Sequence, residues 1–411
     1  MCSKLFEIKN MKKNTFYKEV LQDAAREMIA DKKILNIDII IKKEMIKSIV
    51  EKISSEIEKN NYPLLIGEKD IKPPQIVSFR EKKKIITEVT SFLKENYSLN
   101  QKFLCAFFVD SLLNDSSKRN FFNLVTQVSK SKSFEKKVIV QIKNGYGDCK
   151  YQSIKEKNTI PILTVSFSKN FGYGAVTACL LDSLKNINTS ADGKDISIFF
   201  LDDDALLLDQ YDYIDTLNKF ITREKILFVS GSCFDSHENI SSFHSYANFA
   251  SLPSNIPISS YKPYTQGGGG AAFLPLSSIN LKNNFPQDVL PGIYFNTQTV
   301  NKTDIKILKG CFAKGFWVNT TLPFLPVEHA TKETLHSWSV VRVKYFRSWE
   351  KAFSLMEKDK AKIYREYFLK SKQCLIENLI AKYKKSKEIE LLLGYIFLTV
   401  FYKKELLKRF I

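Results

Sequence analysis

Ile196-Ser197-Ile198-Phe199-Phe200-Leu201 runs straight into Asp202-Asp203-Asp204. A short apolar run of this kind reads as a buried strand. Ionised Asp is almost never buried without a partner, so the chain must leave its core where these carboxylates begin. The fold is thereby restricted to one in which a central strand ends at an edge that can meet a cation or polar ligand. Hard divalent cations take oxygen ligands of this type and can hold phosphates as well.

The neighbouring sequence supplies the rest of such a sheet. Phe103 to Val109 reads as a strand ending in Asp110, Phe121 to Val128 as a helix, and Val138 to Ile142 as a second strand. Ile162 to Val165 follows as a third strand and Ala175 to Leu184 as a helix, before the strand that ends in Asp, and Ile226 to Val229 comes after it. Strands alternating with helices over short connections predict an α/β fold, a Rossmann-type mainly parallel sheet flanked by helices. Ligands of such sheets bind beyond the carboxyl ends of the strands, where Asp110, Asn144 and the three aspartates fall. Residues 1–98 read as a mostly helical accessory domain, with Ile46, Ile49, Val50, Ile53 and Ile57 on one face and Ile85 to Leu93 resuming the pattern. The expected division is 1–98, 99–333 and 334–411, the last a basic, aromatic-rich helical region.

Charge places the basicity outside the central segment. Of the net +18, residues 334–411 contribute +10, with 18 Lys and Arg against 8 Asp and Glu. The excess lies on no recognisable nucleic-acid-binding motif, which speaks against a nucleic-acid-binding protein. The seven cysteines form no CxxC pair, so neither a zinc knuckle nor a redox pair is encoded, and a reducing compartment is expected. Residues 1–16 lack the apolar core of a signal peptide, and the 12-residue run Leu391 to Tyr402 is too short to span a bilayer. Followed by Lys403, Lys404, Lys408 and Arg409, that run suits an interfacial helix on an anionic membrane. The expectation is a cytoplasmic protein with a peripheral seat on the inner face of the cell membrane.

Four further features line up with the triple Asp. Lys143-Asn144-Gly145-Tyr146-Gly147-Asp148 follows the second strand, a turn in which backbone can approach a ligand closely. Asn170-Phe171-Gly172-Tyr173-Gly174 opens the helix before the Asp strand, and a glycine-led helix start suits phosphate. Thr265-Gln266-Gly267-Gly268-Gly269-Gly270 precedes an apolar segment, and Thr303-Asp304 lies upstream of His329. Taken singly, each has a plain alternative: a turn, a flexible connector, a helix N-cap at Asp304, a satisfied histidine.

In this order the features resemble GT-A-fold glycosyltransferases over roughly residues 101–333, and the triple Asp is similar to that of bacterial family-two enzymes, including galactofuranosyltransferases. The resemblance implies metal-dependent transfer of a sugar from a nucleoside-diphosphate donor to a glycan or lipid-linked glycan hydroxyl. It implies that Asp202, Asp204 and His329 hold Mn²⁺ or Mg²⁺, with Asp202 also near the ribose. Asp110, Asn144, Asp148, Asn170, Gly172 and Asp203 would line the donor side; Gly267, Gly268, Gly269, Gly270 and Asp288 the acceptor side. Asp304 would be the base of an inverting transfer, since a positioned carboxylate makes a hydroxyl nucleophilic. The family's base commonly lies in an acidic pair, whereas Asp304 follows Thr303, and Phe285-Pro286-Gln287-Asp288 offers a competing carboxylate. A retaining enzyme is the alternative. A sugar-phosphate nucleotidylyltransferase is a further one, but it resembles a pattern with a basic Gly-rich loop after the first strand, where this chain has Asp110-Ser111-Leu112-Leu113-Asn114-Asp115.

Overall fold

The computed structural model describes residues 76–145, 160–185, 187, 196–224, 227–235, 271–281, 285–313, 319–329, 348 and 351–365. The helical face at Ile46 to Ile57, the run Leu391 to Tyr402, Asp148 and Gly267 to Gly270 lie outside the described residues. Among the described residues the strands are β1 (Phe103–Asp110), β2 (Lys136–Asn144), β3 (Ile162–Phe167), β4 (Ile196–Asp202), β5 (Ala205–Leu207), β6 (Phe228–Asp235), β7 (Ala271–Pro275) and β8 (Asn319–His329). They form one sheet in the order β3-β2-β1-β4-β7-β6-β8-β5.

β1, β2, β3 and β4 are mutually parallel, β7 is antiparallel to both β4 and β6, and β8 is parallel to β6. Six strands therefore point one way, with β7 and β5 opposed. All eight residues of β1 are buried, the continuous apolar character of a parallel strand covered on both faces. Its side chains divide between two cores by the strand's period of two. Phe103, Cys105, Phe107 and Val109 enter one, and Leu104, Ala106 and Phe108 the other.

Helices α1 (Phe79–Asn96), α3 (Tyr173–Leu184) and α5 (Pro291–Lys302) bury residues in the first core. Helices α2 (Asp115–Lys130) and α4 (Tyr213–Glu224) bury residues in the second. α1 starts at an N-cap, Ser78, whose side chain accepts from Glu81 N–H, and its Ile85, Val89 and Leu93 recur at every fourth position to face α3 and the sheet. α2 starts on a reciprocal box: Asn114 accepts from Ser117 N–H while the Ser117 hydroxyl accepts from Asn114 N–H.

One expected boundary does not survive. Placing residues 1–98 in an accessory domain would separate α1 from the sheet, yet Val89 and Leu93 are fully buried in the main core. Thr90 also donates to the Ser183 carbonyl of α3, and Glu81 accepts from both the N–H and the hydroxyl of Ser168 after β3. α1 is part of the α/β unit.

The direction of α5 decides where later residues fall. Phe295 packs on Phe200 of β4 and Phe228 of β6, with centroids 5.1 and 5.8 Å away. At the far end of the helix, Lys302 Nζ donates to the carbonyl of Ser277, just past the end of β7. Because Pro275 of β7 pairs with Ser197 near the start of β4, α5 runs down to the amino-terminal ends of the parallel strands. Its successor, α6 (Ile305–Ala313), begins there.

Candidate active site at the carboxyl ends of the strands

The six co-directed strands end at Asp110, Asn144, Phe167, Asp202, Asp235 and His329. Register brings several of these side by side: Val109 is level with Asp202, and the backbone of His329 is paired with both Ala205 and Asp235. His329 is therefore next to the strand that begins immediately after Asp204. Asp235 is not among the residues that the sequence patterns single out; it closes β6 as Asp110 closes β1 and Asp202 closes β4, but Ser230, Gly231 and Ser232 interrupt the apolar run before it. β7 begins at Ala271, opposite Leu201, so the segment that follows Gly270 enters the sheet beside the triple Asp.

The three aspartates take different surroundings. Asp203 is buried, and its Oδ2 accepts from the N–H groups of Ser111 and Leu112 at 2.5 and 2.6 Å. Its carbonyl accepts from Asn120 Nδ2 of α2 at 2.7 Å. Burial first, and the charge of Asp204 next, push the Asp203 carboxyl up to about 6 against the pull of the two N–H groups. Asp203 thus ties the β4–β5 turn to the end of β1. Asp202 and Asp204 flank it and are half-buried.

A second set of bonds shapes the rim around them. Asp110 is buried, and its Oδ1 accepts from Leu113 N–H at 2.9 Å, which holds Leu113 at a φ of +57°. A branched residue rarely adopts that conformation, so the carboxylate fixes the loop after β1. Asn144 donates to Ser111 Oγ and Asn170 Oδ1, and its Oδ1 accepts from Phe171 N–H. Asn170 Oδ1 also accepts from Gly172 N–H. Gly172, at φ +85°, then turns the chain into α3, and Gly145, at φ +133°, lets the β2 loop approach the Asn170 backbone to within the reach of a Cβ at 3.5 Å. Asn144 spends its bonds on joining the ends of β1, β2 and β3.

The acceptor-side and base residues separate sharply. A Cβ at Gly174 would meet the carbonyl oxygens of Val289 and Gln287 at 2.7 and 2.8 Å, so the backbone on both sides of Asp288 lies against the first turn of α3. Asp288 itself is exposed. Asp304, expected as the base, is instead at the other end of the sheet, beyond the last turn of α5. There its Oδ1 accepts from Lys306 N–H at 2.7 Å and its carbonyl from Leu308 N–H, so it caps α6. The seven residues of β4 span roughly 20 Å between these two ends of the sheet. The physical reason for the correction is the direction of α5, which no local pattern at Thr303-Asp304 encodes.

Among the described residues no three His, Cys, Asp or Glu side chains form a metal-holding cluster. The donor set offered by the rim is the carboxylate pair Asp202 and Asp204. Two carboxylates are a fit for Mg²⁺ or Mn²⁺ that keeps its remaining positions for water and phosphate oxygens.

A mainly parallel α/β sheet with its polar side chains gathered at the strands' carboxyl ends defines the class of fold. No family model matches the chain, and no curated protein matches it. Among solved structures, that of S. aureus TarS 1-349 in complex with UDP is similar with a TM-score of 0.36 and 12% identity, over 64% of this chain and 70% of that one. A second structure of S. aureus TarS 1-349 gives a TM-score of 0.34 and 11% identity over 74% and 91%. At those values the likeness assigns no family.

Proposed function

We propose that the chain is a nucleotide-sugar-dependent glycosyltransferase whose donor site lies at the carboxyl edge of β1, β2 and β4. The observation that supports it most is the division of labour in the triple Asp. Asp203 is committed to the backbone of β1, which leaves Asp202 and Asp204 on either side of a fixed turn. In this reading Asp202 and Asp204 hold a divalent cation with the donor diphosphate, and His329 stands beside them in register. When bound, the cation offsets the charge that builds on the leaving diphosphate. The chain's own residues do the rest. The Asn144–Asn170 bonds fix the glycine start of α3 at the rim, where the helix dipole favours an anion. Asp288 replaces Asp304 as the carboxylate that takes the proton of the acceptor hydroxyl, in an inverting transfer to a glycan or lipid-linked glycan.

The test is a thermal-shift screen of UDP-, GDP-, CMP- and dTDP-sugars with and without Mn²⁺, followed by transfer assays on variants. One nucleotide sugar is expected to stabilise the chain only with Mn²⁺, and Asp204→Ala to abolish that shift. Asp288→Asn should keep the shift and lower transfer by about 10²-fold or more, the usual scale for a removed base. Asp304→Asn should leave both unchanged. Full transfer by Asp288→Asn, with loss in Asp304→Asn, would reverse the assignment of the base.

A further inference from the structure

Among the described residues the two most exposed large apolar side chains belong to one place: Phe79 at 82% and Ile76 at 75%. Exposed apolar residues scattered singly need no explanation, but a group of them marks a contact surface. Phe79 opens α1 and Ile76 comes just before its N-cap, Ser78. The fold does not use them, since Val77 between them is buried and Ile85, Val89 and Leu93 supply the helix's buried face. The surface around the pair is basic. Arg80 and Lys83 are exposed, and the helical spacing puts Lys83 one turn on from both Phe79 and Arg80. The acidic residue of this turn is committed elsewhere, because both oxygens of Glu81 accept from Ser168. Those bonds bring the exposed Lys169 beside the start of α1. Lys82 turns away and pairs with Asp182 at 2.5 Å.

We infer that this corner is a contact with an anionic lipid bilayer, in which Ile76 and Phe79 enter the headgroup region while Arg80, Lys83 and Lys169 meet lipid phosphates. Apolar side chains beside Lys and Arg are the pattern of an interfacial seat, the first buried at the acyl boundary and the second drawn to anionic lipid. A specific protein partner takes about 20–30 residues a side, many more than this corner offers. The contact is distinct from the one expected of Leu391 to Tyr402. It also lies on the site's side of the molecule. α1 begins at Ser168, beyond the carboxyl end of β3, and ends at the start of β1, where the Tyr97 and Phe103 rings are 5.5 Å apart. Val77 N–H donates to Gln287 Oε1 at 3.1 Å, and Asp288 is the next residue. A bilayer that touches Ile76 and Phe79 therefore adjoins the loop of Asp288, which suits an acceptor hydroxyl carried on a lipid. That consequence rests on the proposed function; the lipid contact stands without it.

Co-sedimentation of the full chain with vesicles of phosphatidylcholine, alone or mixed with phosphatidylglycerol, tests the contact on wild type, Ile76→Ser/Phe79→Ser and Arg80→Gln/Lys83→Gln. Wild type should bind the mixed vesicles. Each double variant should bind them about tenfold or more weakly. Both should melt within about 2 °C of wild type, since exposed side chains carry little of a fold's stability. Undiminished binding by Ile76→Ser/Phe79→Ser would overturn the contact, as would a wild type that ignores mixed vesicles. A second copy of the chain as occupant would appear in analytical ultracentrifugation as a dimer that this variant dissociates, with vesicle binding unchanged, and would overturn it too. The nucleotide-sugar thermal shift with Mn²⁺ on the same proteins separates this surface from the donor site. The variants should keep the shift; a wild type that binds vesicles but shows no shift would remove the donor reading and leave the lipid contact standing.

Discussion

Three identical side chains in a row carry out different tasks because β4 ends inside a corner made by other strands. The middle one, Asp203, is buried and accepts from two backbone N–H groups of the loop beyond β1. Its removal should therefore act on stability and its neighbours' removal on binding. Asp203→Ala is expected to lose about 2 kcal/mol, as for other hydrogen bonds to a charged group, which lowers Tm by about 4–8 °C in a domain of this size. Asp202→Ala and Asp204→Ala should change stability by less than about 1 kcal/mol. Thermal unfolding of the three variants decides the matter, and equal melting would sink the scaffold role. The sequence announces that carboxylates belong at this strand end, and the family resemblance sets Asp202 and Asp204 apart from Asp203. The local pattern of the three gives no reason for that difference, because the bonds that occupy Asp203 come from Ser111 and Leu112, 91 or more residues away.

At the scale of elements, α4 is tied to the end of α2 by one carboxylate. Asp215, in the first turn of α4, accepts from the Ser131 hydroxyl and from the N–H groups of Lys132 and Ser133 at 2.9 and 3.2 Å. Burial raises its carboxyl, but these bonds outweigh it and hold the group below its ordinary 3.8. A lowered folded value means that the ionised form stabilises the native state above the ordinary value. The contribution is lost as pH falls through the folded value. Asp215→Asn should thus cost about 1–2 kcal/mol at pH 7, and the gap to wild type should shrink toward pH 3. Urea unfolding at both pH values checks the sign; a gap that widens in acid would refute it. Elements with a clear apolar signal are legible in the sequence, β1 to β4 and α3 among them. α5 is not, because Asn296, Thr297, Gln298 and Thr299 are all buried and make a helix that is covered all round look polar. β7 escapes recognition as an opposed strand for a related reason: Ala271 to Pro275 is apolar, but direction is not a property of composition. Without α5 and β7 the location of Asp304 cannot be foreseen.

For the whole molecule, the consequence of α1 in the core is that the α/β unit starts before residue 79. A chain beginning at residue 99 would expose the sheet-facing side that Ile85, Val89 and Leu93 cover, each worth about 1.5–3 kcal/mol of burial. It is expected to be insoluble or to lack a cooperative thermal transition when compared with the full chain. Cooperative melting of the shorter form would restore the accessory-domain boundary. That boundary falls where helical periodicity gives way to strands. Only packing reveals that the last helix before the change belongs with the sheet.

The pairing of Ala205 with His329 has a kinetic consequence. It joins residues more than a hundred positions apart, and β8 must also find β6 before the edge is complete. Contacts of such separation in sequence form late, because the loop they close is costly until neighbouring structure is in place. β1, β2 and β3 can pair before β8 arrives, so the Asp202–Asp204 corner is expected to acquire its His329 flank in the last step of folding. Refolding followed by both intrinsic fluorescence and Mn²⁺ uptake would then show uptake lagging behind, a signal of the sheet's final closure.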